Sequence, residues 1–404
     1  MPLVDVAEAR ALVLAAARRL DPVTLPLGEA LGLVTTGPID APEAVPPFAN
    51  TAMDGYAVRA ADSAGAPVQL RVVGSLAAGA APGVAVGPGE AVRIMTGAPM
   101  PAGADAVVMV EHTTPADGGT AVVIGRAARP GDHVRGAGED IEAGQEVFPA
   151  GTVLSPGHLG VVASTGRTAV EVVRRARVGV LSTGDELVDS GAPLQPGQIR
   201  DSNRPMLLGL VRQAGCEAVD LGRCADTADE IRTAVRRGAE ACDAVITSGG
   251  VSVGDFDYVK VVLDELSGGS MRWMQVAVRP AKPFAFGVVG DTPVFGLPGN
   301  PVSSMVSFEL FARPALLAMM GHAGVDRPRV LAVADEAFVR RPDGKLHLVR
   351  VRVEAGADGR HHVRSAGGQG SHMLRAMALS NALALLPDGT GVQEGGNVDV
   401  MLLG

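Results

Sequence analysis

The clearest fold signal in the chain is Phe295-Gly296-Leu297-Pro298-Gly299-Asn300-Pro301-Val302-Ser303-Ser304. An apolar run ends there in a turn, and an amphipathic segment follows, so the pattern predicts a strand, a tight turn and the start of a helix. We expect Asn300 to cap that helix and Pro301 to occupy its first turn. The unpaired backbone N–H groups near Ser303 make the turn a candidate anion site, although an ordinary strand-to-helix connection fits the same residues.

The same order of strand, loop and helix repeats from Arg177 onwards. Apolar runs predict strands over 178–182, 217–221, 244–247 and 293–297. Periodic segments predict helices near 204–214, 228–240, 256–266 and 301–319. This alternation is typical of a doubly wound α/β domain, in which helices cover both faces of a mainly parallel sheet. We therefore predict a three-layer α/β domain over residues 173–326.

The flanking regions have other patterns. Residues 5–20 and 155–165 have helical periodicity, whereas residues from about 38 to 128 read as short Val-rich strands between Gly/Pro turns. We predict a discontinuous N-terminal domain formed by residues 1–39 and 129–172, with an all-β module inserted at 40–128. Short strands after Pro328, with turns at 342–344 and 357–359, predict a C-terminal β barrel over 327–404.

The amino-acid composition indicates which classes of protein this chain can belong to. The 404 residues are 47% hydrophobic, enough for several cores, and no leader-like segment or uncharged apolar stretch long enough for a membrane is present. We therefore expect a cytoplasmic protein without membrane association. The three cysteines, Cys216, Cys224 and Cys242, form no C-x-x-C pair, so neither a disulfide framework nor a zinc site is indicated.

Charge indicates how an anionic ligand would be held. The formal net charge is −9 and aromatic residues make up 3% of the chain, which argues against nucleic-acid binding. Any anion must therefore meet a local cluster of cations. Arginine supplies most of the positive charge, and the only lysines are Lys260, Lys282 and Lys345.

Loops rich in glycine and hydroxyl residues follow the predicted strands, at 182–186, 248–254 and 297–303. Ligands of open parallel sheets bind at the carboxyl ends of the strands, where glycines let backbone N–H groups approach a phosphate. The loops therefore predict a site for a phosphorylated ligand, unless their Gly and Ser residues are only turn formers. The candidate ligand-binding residues are Thr183, Gly184, Ser248, Gly249, Gly250, Ser252, Pro298, Asn300 and Pro301, together with Lys282.

Carboxylates occur in the same region. Asp185, Glu186, Asp226 and Asp257 would repel a phosphorylated ligand unless a hard cation such as Mg²⁺ lay between them. The pattern therefore implies a divalent metal, and the alternative is a solvated acidic rim.

Positive charge comes from the segment Arg279-Pro280-Ala281-Lys282-Pro283-Phe284. Its two cations lie three residues apart and are held by prolines, which favours binding of an oxyanion. The alternative is a surface loop with two solvated cations.

These residues carry a resemblance that covers the whole chain. The sequence resembles the MoeA family of molybdopterin molybdenumtransferases, which is similar to the E domain of gephyrin. The segments that match the family are 50–57, 95–98, 135–141, 182–187, 201–203, 248–258, 279–286, 297–303 and 368–372. They span all four predicted domains, whereas the related MogA-type adenylyltransferases share only the glycine loops.

The resemblance implies a fold, a reaction and an assembly. The α/β domain would have the MogA-like molybdopterin-binding fold. The chain would transfer molybdenum from molybdate to adenylylated molybdopterin and release AMP, with Mg²⁺ required. It would form an elongated homodimer with shared active sites, each between the α/β domain of one subunit and the inserted module of the other. A MogA-type adenylyltransferase is a further expected partner.

The resemblance also assigns roles to residues. The functional acidic and hydroxyl positions that match are Asp54, Thr96, Asp140, Glu186, Asp226 and Asp257, with Glu186 and Asp257 as the metal ligands. The oxyanion pocket would consist of Arg279, Lys282, Ser303, Arg350 and Ser371. The family usually has Lys-Pro-Gly-Lys-Pro where this chain has Arg279-Pro280-Ala281-Lys282-Pro283, so the turn is expected to be stiffer and its first cation planar.

Two other functions compete with the transferase. A molybdopterin adenylyltransferase would consume ATP to make the activated pterin, and a gephyrin-like scaffold would dock peptides without turnover. Without the resemblance, the Asp54-Gly55 pair would be an ordinary turn.

Overall fold

Two units make up the part of the chain that the computed structural model describes, residues 2–189, 191, 193–251 and 258–403. The first unit contains Met1–Val23, Gly32–Val34 and Val173–Gly404, and the second contains Thr24–Leu31 and Thr35–Val172. The finer division into the four domains given above stays a prediction.

A six-stranded sheet forms the centre of the first unit. Its strands lie in the order Glu217–Cys224, Arg177–Thr183, Ala244–Ser248, Thr292–Leu297, Pro283–Val289 and Arg272–Gln275. The first four are parallel, and the last two are antiparallel to their neighbours. The predicted mainly parallel sheet is confirmed, with an antiparallel edge that the sequence pattern did not reveal.

Helices cover both faces of this sheet and make the predicted three layers. The helices of one face are Val6–Ala15, Asn203–Gln213, Pro301–Ser307 and Arg313–Met319, and those of the other are Ala228–Ala241 and Tyr258–Leu266. Alternate strand residues serve the two faces: Val180 and Ile246 pack into the first core, and Leu181 and Val245 into the second. Strands buried on both sides read as continuous apolar runs, which is why they were recognisable in the sequence.

A π-helical turn, Phe308–Ala312, joins the helices Pro301–Ser307 and Arg313–Met319. Among the described residues, the resulting run Pro301–Met319 is the one helix long and apolar enough to cross a membrane. However, 83% of its apolar window is buried inside the protein. The run is therefore a core helix of the α/β layer.

Five strands close into a barrel near the end of the first unit. They are Arg329–Ala334, Leu346–Ala355, His361–Ser365, Ala382–Leu386 and Asn397–Leu402. The pairings run from Leu346–Ala355 around the ring and back to it, so no edge remains open. The short strand Val278–Arg279 pairs in parallel with Leu346–His347 and so joins the cationic segment to the barrel. Smaller elements beside the barrel are Phe338–Val339, Gly391–Val392 and Leu374–Leu379.

The second unit is built around another six-stranded sheet. Its strands lie in the order Ala106–Met109, Gly55–Val58, Glu90–Ile94, Val68–Leu76, Ala121–Ile124 and Thr113–Ala116. Two short ladders pair Asn50–Thr51 with Val134–Arg135 and Ile39–Asp40 with Glu146–Phe148. Ser155 caps the helix Pro156–Ser164 by accepting from the N–H of His158. The all-β character predicted for this part of the chain matches the strands observed.

Two local expectations differ from the structure. The helix expected over residues 5–20 ends at Ala15, because the chain then turns and the N–H of Leu20 donates to the carbonyl of Met319 at 2.8 Å. Asn300 occupies the N-cap position of the helix that begins at Pro301, but its side chain makes no capping hydrogen bond. The expectation of an Asn300 side-chain cap is therefore wrong, and the backbone carbonyl of Asn300 accepts from Ser304 at 2.9 Å instead.

Candidate functional site

One buried side chain ties together two of the strand-end loops. Asn203 Nδ2 donates to Ser248 Oγ at 2.8 Å and to the carbonyl of Gly299 at 2.7 Å. The N–H of Gly249 also donates to the carbonyl of Leu297 at 3.1 Å. The loops that follow Ala244–Ser248 and Thr292–Leu297 therefore form one continuous edge.

The glycines of this edge are required by close contacts. Gly249 has φ +99°, and a Cβ there would lie 2.9 Å from the carbonyl oxygen of Thr183. Gly250 has φ +68°, and a Cβ there would lie 2.3 Å from the side chain of Val259. Thr183 and Ser248 are buried beneath these loops. Glycine is therefore needed at both positions, because a side chain would clash with the residues against which this loop packs.

Three carboxylates gather where the strands Arg177–Thr183 and Glu217–Cys224 end. The N–H of Asp226 donates to Asp185 Oδ1 at 3.1 Å. Burial and then the charges of Asp185 and Glu186 raise the pKa of Asp226. Within the described ranges, no three His, Cys, Asp or Glu side chains are close enough to hold a metal ion. The expected metal ligand Asp257 and the expected ligand-binding residue Ser252 lie outside the described residues.

A cavity of about 560 Å³ brings the expected oxyanion residues together. Arg279, Lys282, Ser303 and Ser371 line it, although they come from three distant segments of the chain. Further lining residues include Pro298, Asn300, Asp343, Lys345 and His372. We call this cavity the oxyanion pocket; most of its charged lining residues are cations.

Hydrogen bonds fix the walls of the oxyanion pocket. The N–H of Val302 donates to the carbonyl of Ser371 at 3.1 Å, which joins the start of the core helix to the loop from the barrel. The N–H of Val276 donates to the carbonyl of Lys282 at 2.7 Å. In the part of the chain that the structure describes, the N–H of Ser303 has no hydrogen-bond partner. One backbone donor of the helix terminus is therefore free for an anion.

Arg350 is expected in the oxyanion pocket, but the structure places it elsewhere. Its side chain is buried in the barrel with 1% relative exposure, and it is not among the pocket-lining residues. Its guanidinium donates to the carbonyls of Gly368 at 2.8 Å and Gly370 at 3.2 Å. Arg350 therefore supports the loop that carries Ser371 and does not itself line the pocket. Arg350 Nε has no hydrogen-bond partner among the described residues. The contacts of the guanidinium join separate segments of the chain, so the sequence pattern did not indicate them.

In the second unit, the carboxylate of Asp54 is held by hydrogen bonds from one residue, Thr96. The N–H and the hydroxyl of Thr96 donate to Asp54 Oδ1 at 2.7 and 2.8 Å. These two bonds, with a smaller contribution from the charge of Arg93, lower the pKa of Asp54. The carboxylate is exposed, so it is an ionised group presented to solvent. Asp140, another of the expected functional positions, lies in a different loop of this unit and is exposed.

The turn between the two pocket cations adopts a backbone conformation that suits glycine. Ala281 has φ +76° and is 2% exposed. An alanine with positive φ costs about 1–2 kcal/mol, which glycine would relieve. However, glycine would also lose about 0.8 kcal/mol of methyl burial and about 0.5–1 kcal/mol of chain entropy.

We therefore expect Ala281→Gly to change the free energy of unfolding by less than about 1 kcal/mol, because these terms nearly cancel. Ala281→Val should destabilise by about 1–3 kcal/mol, since a branched side chain fits neither the positive φ nor the buried position. Urea unfolding of the three proteins measures both changes. Equal stability of the valine variant and the wild type would show that the turn is not held at positive φ.

Sequence reasoning missed three residues of the site. Asn203 fell in a matching segment but was given no role, although it bonds two of the loops. Asp343 and Lys345 lie in the connection that precedes the strand Leu346–Ala355, where the sequence predicts only the turn at 342–344. The scarcity of lysine in the chain was the one signal available for Lys345.

Comparison with family descriptions covers most of the chain. Residues 4–166 match the description "MoeA N-terminal region (domain I and II)", residues 179–318 match "Probable molybdopterin binding domain", and residues 336–403 match "MoeA C-terminal region (domain IV)".

Individual proteins match over nearly their full length. A protein of Mycobacterium tuberculosis named molybdopterin molybdenumtransferase 2 is 43% identical over 380 residues, which is 92% of each chain. The molybdopterin molybdenumtransferase of Haemophilus influenzae is 39% identical and covers 93% of this chain and 90% of its own. A crystal structure of a molybdopterin biosynthesis MoeA protein from Pyrococcus horikoshii superposes with a TM-score of 0.82 over 99% of both chains, at 30% identity.

Proposed function

Because the chain belongs to the MoeA family and is a molybdopterin molybdenumtransferase of molybdenum cofactor biosynthesis, we propose that it transfers molybdenum from molybdate to adenylylated molybdopterin and releases AMP. The observation that carries this proposal is the oxyanion pocket. Arg279, Lys282 and Ser303 meet in it directly beside the loop that follows the strand Thr292–Leu297. One end of the site thus suits an oxyanion, and the neighbouring edge suits a phosphorylated ligand.

The glycine loops would hold the phosphorylated substrate. Gly249 and Gly250 let the loop pack tightly against Thr183 and Val259, and Asn203 keeps this loop beside Gly299. Backbone N–H groups in such loops are neutral donors, so they bind phosphate oxygens without adding a charged group to the site. This chain would therefore position the phosphates of the adenylylated pterin, whose anhydride bond breaks when AMP leaves.

The oxyanion pocket would hold molybdate. Two cations, Arg279 and Lys282, face a dianion, and the planar guanidinium and the ammonium offer donors in different directions. The free N–H of Ser303 and its hydroxyl supply neutral donors from the helix terminus. Charge neutralisation concentrates molybdate next to the pterin site in a chain whose net charge is −9.

Magnesium would act at the acidic end of the site. The donor chemistry fits, because Glu186 and Asp226 supply carboxylate oxygens. Burial, followed by the charges of Asp185 and Glu186, raises the pKa of Asp226, and a bound cation would relieve this repulsion. We propose that Glu186 and Asp257 hold the ion, with Asp226 beside them. When bound, Mg²⁺ would neutralise phosphate charge during loss of AMP.

The assembly belongs to the same proposal. We infer a cytoplasmic homodimer in which Asp54 and Thr96 of one copy, with Asp140, complete the site of the other copy. The exposed, ionised carboxylate of Asp54 supports this inference. Within its own unit, this carboxylate only accepts hydrogen bonds from Thr96. A MogA-type adenylyltransferase would supply the activated pterin.

The assay that tests the reaction supplies purified protein with adenylylated molybdopterin and Mg²⁺, with or without molybdate. We expect AMP release that depends on molybdate. Consumption of ATP with release of pyrophosphate would instead indicate the adenylyltransferase. Binding of both ligands without any turnover would favour the scaffold.

Two neighbouring serines offer a matched test of the oxyanion pocket. Ser303 lines the pocket, whereas Ser304 is fully buried and its hydroxyl has no hydrogen-bond partner among the described residues. Ser303→Ala should weaken molybdate binding about threefold to tenfold at an unchanged melting temperature, since one neutral hydrogen bond is lost. Ser304→Ala should leave binding unchanged and should not lower stability, because it removes an unpaired buried polar atom. Calorimetry and thermal unfolding measure both; loss of stability alone in Ser303→Ala would give the residue a purely structural role.

A further inference from the structure

Two of the three lysines of the chain line the oxyanion pocket, and only one of them belongs to the matching segments of the sequence. Lys345 directly precedes the barrel strand Leu346–Ala355, far in sequence from Lys282, and lines the same cavity. Lys345 lies close to Arg279 because the two residues that follow Lys345, Leu346 and His347, pair with Val278 and Arg279. This pairing therefore places Lys345 beside the segment that carries Arg279 and Lys282.

Asp343 fixes the position of Lys345. Lys345 Nζ donates to Asp343 Oδ2 at 2.9 Å and to the carbonyl of Asp343 at 3.3 Å. Asp343 itself accepts from Arg340 at 2.8 Å and interacts with His347 at 3.1 Å, so its carboxylate is held from three sides. The hydrogen bond from Lys345 and the other contacts lower the pKa of Asp343 to about 2, so Asp343 remains an anion.

Charge balance shows what Lys345 contributes. Arg279, Lys282 and Lys345 against Asp343 leave a surplus of two positive charges on the pocket lining, which equals the charge of a molybdate dianion. Without Lys345 the surplus would halve, and the carboxylate of Asp343 would face the ligand with less compensation. An ammonium has three donors, and Asp343 occupies two of them.

We propose that Lys345 is a further oxyanion-binding residue of this pocket, with Asp343 as the residue that positions it. This inference rests on the proposed function, since it assigns one more contact to the molybdate site. The third N–H of Lys345 binds an oxygen of the oxyanion opposite Arg279 and Lys282.

The test is calorimetric titration of the full chain with molybdate alone, at several salt concentrations. Lys345→Gln should raise the Kd about tenfold, because a charge-assisted hydrogen bond is lost, and should make the Kd less sensitive to salt. Lys345→Arg should bind within about threefold of the wild type, since it keeps the charge. Arg360→Gln, which removes one exposed positive charge from the barrel outside the pocket lining, should bind like the wild type.

Lys282→Gln separates failure of this inference from failure of the proposed function. If Lys282→Gln loses affinity and Lys345→Gln does not, the inference about Lys345 is overturned and the pocket stands. If neither variant loses affinity, the oxyanion pocket itself is misassigned. A purely structural Lys345 would lower the melting temperature in Lys345→Gln without moving the Kd or its dependence on salt. Lys345→Met, which keeps the aliphatic stem, provides the same comparison if the glutamine variant folds poorly.

Discussion

Asp54→Ala is expected to reduce molybdate-dependent AMP release at least a hundredfold, a loss of about 2.7 kcal/mol in transition-state stabilisation, while the melting temperature stays near that of the wild type. The carboxylate is exposed and its partner Thr96 can bond to water instead, so folding loses little. Activity should fall because the substitution removes a carboxylate that the hydrogen bonds from Thr96 keep ionised and oriented, and that would act in the site of the other copy. Thr96→Val, which removes the hydroxyl donor but keeps Asp54, should reduce AMP release by a smaller factor.

Mixed dimers distinguish a shared site from a site within one copy. Asp54→Ala and Asp257→Ala homodimers should both be inactive. After unfolding and refolding together, heterodimers should regain activity, because one of their two sites has neither substitution. If native mass spectrometry shows heterodimers in the mixture and the mixture is still inactive, a shared site is contradicted.

Glu309→Ala is expected to lower the free energy of unfolding by about 3–5 kcal/mol, because it leaves buried positive charge without its partner. Glu309 is 3% exposed within the π-helical turn of the core helix. Both of its oxygens accept from Arg327, at 2.9 and 3.0 Å, and Arg313 lies 3.9 Å away. Burial and then the charge of Arg327 already lower the pKa of Arg313, so removal of Glu309 would leave two arginines repelling each other.

Denaturant unfolding of Glu309→Ala and Arg18→Ala measures this difference. Arg18 pairs with Asp291 at 2.6 Å, but the two side chains are 79% and 84% exposed, so its loss should cost at most about 1 kcal/mol. Similar, small effects of both substitutions would mean that the Glu309 pair contributes no more than a surface ion pair.

The α/β core was predictable because its signals are local. Leu297 to Pro301 carries a strand end, a turn and a helix start within a few residues, and the structure has the strand Thr292–Leu297 and the helix Pro301–Ser307 there. Strands buried on both faces read as apolar runs, and the turn residues between them are Gly, Pro and Asn. The pocket cations were predictable for the same reason, since prolines hold Arg279 and Lys282 in one short segment.

The remaining features depend on contacts between distant segments. Nothing near Arg350 in the sequence shows that its guanidinium bonds to the carbonyls of Gly368 and Gly370. Lys345 reaches the pocket only because the barrel strand pairs with Val278 and Arg279. Asn300 has the right residue type for a side-chain cap, yet only its backbone carbonyl is used.

The oxyanion pocket is the proposed binding site for molybdate. Anomalous diffraction at the molybdenum edge, from crystals of the wild-type chain soaked in molybdate, tests this assignment most directly. We expect a molybdenum peak whose oxyanion lies within hydrogen-bonding distance of Lys282 and Ser303, with Arg279 and Lys345 on the same oxyanion. A fully occupied molybdenum peak elsewhere on the chain, with the oxyanion pocket empty, would contradict this assignment.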